Sequence, residues 1–104
     1  MATPTYKELI DELLPLYEAQ HDRFMRFYNA VWLMLYNLPE GATLDITERC
    51  NEADRNLFFK VASLIMMSDM PGREYYFVDD AQTIIRRGYV FVPKKIYRNK
   101  FSDK

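Results

Sequence analysis

A chain of 104 residues, 49% apolar and 15% aromatic, can bury one hydrophobic core and is too short for two ordinary domains. Its single cysteine, Cys50, excludes an internal disulfide, and no His/Cys cluster offers zinc a ligand set, so a reducing, cytoplasmic setting is expected. The net charge of −1 hides a split: residues 1–84 hold 7 Lys/Arg against 14 Asp/Glu, whereas residues 85–104 hold 7 Lys/Arg against one acid.

Thr3-Pro4 supplies an N-cap with a first-turn proline, and Thr5 with Glu8 forms a capping box, so a helix starts within these residues. Tyr6, Leu9, Ile10, Leu13, Leu14 and Tyr17 keep helical spacing, and Pro15 predicts one bent helix or two short ones. Lys7, Glu8, Asp11 and Glu12 interrupt any apolar leader. From His21 to Asn37 the apolar positions Phe24, Met25, Phe27, Tyr28, Val31, Trp32, Leu35 and Tyr36 cover more than one helix face, which predicts a central helix. The uncharged run within it, residues 27–39, has 13 residues, short of the about 18 that span a bilayer, so no membrane partner is expected.

Leu38-Pro39-Glu40-Gly41 stops that helix, and residues 42–46 read as a short strand. Thr47 is placed to cap a brief helical turn through Cys50, and Asn51 to cap a helix over 52–68 with Asp54 in its first turn. Ala53, Leu57, Phe58, Val61, Leu64 and Ile65 define the apolar side of that helix. After the Pro71-Gly72 turn, residues 74–78 read as a strand. Residues 79–88 admit two readings. Asp79-Asp80-Ala81-Gln82 is a hairpin loop into a strand that starts at Thr83, or the acids at the front and Arg86-Arg87-Gly88 at the back mark a short helix. Residues 89–92 read as a strand under both, ended by Pro93. The whole is expected to be one α+β domain over 1–93, with three main helices and a small C-terminal antiparallel hairpin or sheet. A basic tail over 94–104, of a composition that favours disorder, follows it.

Helix, short strand, helical turn, helix and two strands in this order resembles winged helix-turn-helix domains over residues 20–92, behind an extra N-terminal helix over 1–19. The resemblance implies that the helix over 52–68 is a recognition helix, that residues 74–92 form a wing, and that the partner is nucleic acid or, as in many domains of this fold, protein. The recognition helix would begin Asn51, Glu52, Asp54, Arg55, Asn56, and two carboxylates facing phosphate repel it. A nucleic-acid complex would therefore lean on the wing and tail, with Arg55, Asn56 and Lys60 assisting.

The segment over 86–101 mixes cations with rings. Arg86, Arg87, Lys94, Lys95, Arg98 and Lys100 are candidate phosphate contacts, and Tyr97 and Phe101 are candidate stacking residues. Against this stand two other uses. Tyr89, Phe91 and Tyr97 can serve the core while the cations protect a sheet edge. Alternatively the tail docks on acidic helices bearing Glu8, Asp11, Glu12 and Glu18, in its own or a neighbouring copy, giving a homo-oligomer. No nucleophile elbow or Gly-rich motif accompanies His21-Asp22 or Cys50, and Asp79-Asp80 reads as a turn or cap, so neither catalysis, nor a cofactor, nor a small-molecule substrate is expected. Met66, Met67 and Met70 suit either core filling or an adaptable binding surface. The eight tyrosines favour an interface.

Overall fold

The computed structural model describes residues 4–70 and 72–89. Helix α1 (Tyr6–Ala19) begins at Thr5, whose hydroxyl accepts from the Glu8 amide while the Glu8 carboxylate accepts from the Thr5 amide. These reciprocal bonds satisfy two of the amides that a helix start leaves open. Pro15 lies inside α1, which continues as one helix to Ala19. Helix α2 (His21–Tyr36) follows after the single residue Gln20, the C-cap of one helix and the N-cap of the next.

A loop over 37–42 leads to strand β1 (Thr43–Asp45). Gly41 holds φ +84° there and donates its amide to the Arg86 carbonyl at 2.7 Å, a conformation that strains any residue with a Cβ. A one-turn 3-10 helix, Ile46–Glu48, comes next, and its cap differs from expectation. Asp45, not Thr47, is the cap: Asp45 Oδ1 accepts from the Thr47 amide at 2.9 Å and from its hydroxyl at 2.6 Å. Asp side chains bond the backbone two residues on, as in an Asx turn, and here the Thr47 hydroxyl becomes a second donor to the cap instead of the cap itself. Asn51 caps α3 (Glu52–Ser68) as expected, its side chain accepting from the Asp54 amide at 3.0 Å.

Strands β2 (Arg73–Val78) and β3 (Thr83–Tyr89) form the hairpin, so the short-helix reading of residues 79–88 is excluded. The sheet is antiparallel in the order β1-β3-β2, with Leu44 opposite Ile84 and Phe77 opposite Ile84 on the other side. The expected strand over 89–92 lies outside the described residues beyond Tyr89. The protein is thus α+β, with three helices packed on one face of a three-stranded sheet.

Alternation decides which strand residues reach the core. Leu44, Ile84, Tyr75 and Phe77 face the helices, and Tyr76, Ile85 and Arg87 face away. Leu9 and Leu13 of α1, Val31 and Leu35 of α2, and Phe58, Val61, Leu64 and Ile65 of α3 close the core with Ile46 and Ile84. Each such side chain contributes about 1.5–3 kcal/mol on burial. Polar links pin the helices to the sheet: the Tyr75 hydroxyl donates to the Leu35 carbonyl at 2.7 Å, and Arg73 donates to the Tyr36 carbonyl at 2.8 Å with its guanidinium 4.3 Å from the Tyr36 ring centre. Among the described residues no helix is long and apolar enough to cross a membrane.

Candidate functional site

The structure separates the two arginines that the sequence joins. Arg86 shares the inward face of β3 with Ile84, is 7% exposed, and donates to the Leu38 carbonyl at 2.9 Å. Its backbone also binds the loop, through Gly41 to the Arg86 carbonyl and the Arg86 amide to the Ala42 carbonyl at 3.2 Å. Arg86 therefore fastens the α2–β1 loop to the sheet and offers no accessible charge to a phosphate. Arg87 points outward and is exposed, with its guanidinium 6.0 Å from the centre of the Tyr76 ring. Tyr76 is 46% exposed and donates to the Glu74 carboxylate at 2.7 Å.

On α3, Asn56 is exposed, while Arg55 is half-buried and its Nε lies buried with no hydrogen-bond partner among the described residues. Arg55 is close enough to Asp45 to help hold that carboxyl below its ordinary range, after the two bonds from Thr47 that do most of it. Lys60 pairs with Glu12 of α1 at 3.3 Å. The positive charge expected of α3 thus serves largely internal contacts, beside Glu52 and Asp54 at the helix start. Lys94, Lys95, Tyr97, Arg98, Lys100 and Phe101 lie outside the described residues.

Of the acids expected to dock the tail, Glu8, Asp11 and Glu12 are exposed and make contacts of their own among the described residues. Glu8 serves the capping box, which holds its carboxyl low; Asp11 pairs with Lys7 at 2.7 Å; Glu12 pairs with Lys60. His21 sits against Asp22 at 3.2 Å and edge-on to Tyr17. Cys50 donates to the Ile46 carbonyl at 3.5 Å, and burial raises its thiol, the opposite of what activates a cysteine nucleophile. Among the described residues no group of three or more His, Cys, Asp or Glu is placed to hold a metal ion.

What the structure adds is a groove between α3 and β2, with a volume of about 480 Å³. Phe59, Ser63, Met66 and Met67 of α3 form one wall; residues 75–78 of β2 and the turn Asp79-Asp80-Ala81 form the other. Phe59 packs on Phe77 with ring centres 4.8 Å apart at its floor. Ser63 is 3% exposed, and its hydroxyl has no hydrogen-bond partner among the described residues, which is costly for a buried polar group unless something else satisfies it. The turn at the rim is strained: Asp79, Asp80 and Ala81 all hold positive φ, at 53°, 58° and 65°, with no glycine among them.

β2 is also one of the two outer strands of the described sheet, so its amides and carbonyls that point away from β3 have no described strand beside them. An unpaired strand edge is a template for another extended chain. The groove residues were visible in part, since Phe59, Ser63, Met66 and Met67 recur at spacings of four and three on one helical side. Met66 and Met67 line the groove half-buried, whereas Met70 is a core residue at 4% exposure. No protein-family model, curated protein or solved structure matches the chain.

Proposed function

We propose that this chain is a non-enzymatic protein-interaction module of winged-helix-like build whose working surface is the α3–β2 groove with the free edge of β2. The order α2, β1, 3-10 turn, α3, β2, β3 supports the winged-helix part of the reading. One observation carries the interaction part: a groove walled by Phe59, Met66 and Met67 lies alongside a strand whose outer edge has no neighbour among the described residues. In that arrangement main-chain hydrogen bonds to β2 give affinity to an extended peptide, and every second side chain enters the groove. Asp79 and Asp80 at the rim favour a basic peptide.

The test is a titration of isotope-labelled full-length protein with a basic aromatic octapeptide and with the same peptide carrying Glu in place of Lys and Arg. The basic peptide is expected to shift the amides of Arg73–Val78, Met66 and Met67, and the acidic one to leave them in place. Shifts elsewhere, or none with either peptide in monomeric protein, overturn the reading. A nucleic-acid reading keeps one specific support, the outward pair of Arg87 and Tyr76 on the same chain as the tail cations. A single-stranded oligonucleotide that shifts Tyr76 and Arg87, with affinity falling steeply as salt rises, is its signature.

A further inference from the structure

We infer that the occupant of the groove is the C-terminal segment 94–101 of a second copy of this chain, so that two copies exchange tails. The inference rests on the peptide-groove reading above and names its partner. Charge gives the first argument: the rim carries Asp79 and Asp80, and the chain after Tyr89 carries Lys94, Lys95, Arg98, Lys100 and Lys104 against the single acid Asp103. Pattern gives the second. In an extended segment Lys95, Tyr97, Asn99 and Phe101 share one face, and Lys94, Ile96, Arg98 and Lys100 the other. The first face delivers two rings to the wall that Phe59, Met66 and Met67 form.

The course of the chain decides between its own groove and that of a neighbour. β3 ends at Tyr89 opposite Arg73, at the end of the sheet where the chain enters β2 from α3. To lie on its own β2, the tail must cross that incoming connection on the same end of the sheet, which connections avoid. The 15 residues after Tyr89 span up to about 50 Å when extended, ample to reach another copy. Reciprocal exchange fills both grooves and closes the assembly as a two-fold dimer.

The experiment uses the full chain and measures mass by light scattering over a range of concentrations. The protein is expected at twice the 12.5 kDa chain mass. Two charge-reversed forms are made, a rim variant (Asp79→Lys with Asp80→Lys) and a tail variant (Lys94→Glu, Lys95→Glu, Arg98→Glu and Lys100→Glu). Each alone is expected at half the dimer mass, and an equal mixture is expected to recover the dimer, because each tail then meets a groove of opposite charge. The tail variant keeps the test valid should the rim variant fail to fold. A dimer that survives tail reversal, or a mixture that stays monomeric, overturns the exchange. A monomeric parent chain whose β2 amides respond to the basic octapeptide overturns the exchange and leaves the groove reading standing. A monomer that ignores the peptide overturns both.

Discussion

Replacing Arg86 separates a loop clamp from a phosphate contact, because the two respond in opposite ways. Arg86→Ala removes a charge-assisted bond to the Leu38 carbonyl, worth roughly 1.5–3 kcal/mol. It also empties the space of a buried aliphatic stem at 7% exposure, at about 0.8 kcal/mol per methylene. The two together predict a loss of about 3 kcal/mol, a large share of the roughly 5–15 kcal/mol that stabilises a small domain. For a chain of this size that lowers Tm by on the order of 15 °C. Arg86→Met keeps the stem and removes the buried charge with its desolvation cost, so its loss is expected to be smaller, about 1–2 kcal/mol. Arg87→Ala, on the exposed face, is expected to stay within about 0.5 kcal/mol. Urea denaturation of the three variants at one pH, followed by circular dichroism, reads these differences directly. Equal stability for the Arg86 and Arg87 alanine variants would refute the clamp and return Arg86 to the surface.

Ala81→Gly should stabilise the protein by about 1 kcal/mol, since Ala81 holds φ 65° in a turn without glycine and a left-handed residue with a Cβ costs roughly that much; a lower thermal midpoint would contradict it. Gly41→Ala should cost a similar amount, because nothing crowds the added Cβ but φ is +84°, and an unchanged midpoint would count against that backbone. Asp69 should make stability depend on pH. Burial pushes its carboxyl from the ordinary 3.8 up to about 6, against a bond from Ser68 that lowers it, and the Tyr28 hydroxyl donates to it across α2 and α3. In that window the unfolded chain releases this proton before the folded one does. Asp69's contribution is therefore expected to fall as pH rises from about 4 through 6 and then to level off. The stability of the parent minus that of Asp69→Asn should show this fall, and a difference that rises over the same interval would be inconsistent with the burial.

Local chemistry was the legible part of the sequence. Thr5 with Glu8 and Asn51 with Asp54 announce helix starts because the bonds that cap a helix lie within three residues. The strand from Thr83 follows from its β-branched residues. Side-chain partners across the fold were less accessible. Two adjacent arginines look alike in sequence, yet alternation from Ile84 places Arg86 inward and Arg87 outward, a signal that becomes usable only once the hairpin is chosen over the helix. The acids of α1 read as a docking face, and nothing in their spacing announces that Lys60 of α3 pairs with Glu12. The groove depends on two elements, α3 and β2, meeting along an edge that only the strand order β1-β3-β2 leaves outside; helical spacing supplies one wall of it and no hint of the other.

The decisive measurement is amide hydrogen exchange along β2 in the tail-reversed chain (Lys94→Glu, Lys95→Glu, Arg98→Glu and Lys100→Glu), whose groove no second copy fills, with and without the basic octapeptide. The amides of Arg73–Val78 that point toward β3 are already bonded in the hairpin and should exchange slowly in both states. The intervening amides on the free edge should exchange fast alone and become strongly protected with the peptide, in alternation, as strand addition requires. Protection of the outer amides that is unchanged by the peptide, or added protection confined to the outward face around Tyr76 and Arg87, would contradict the groove as the working surface.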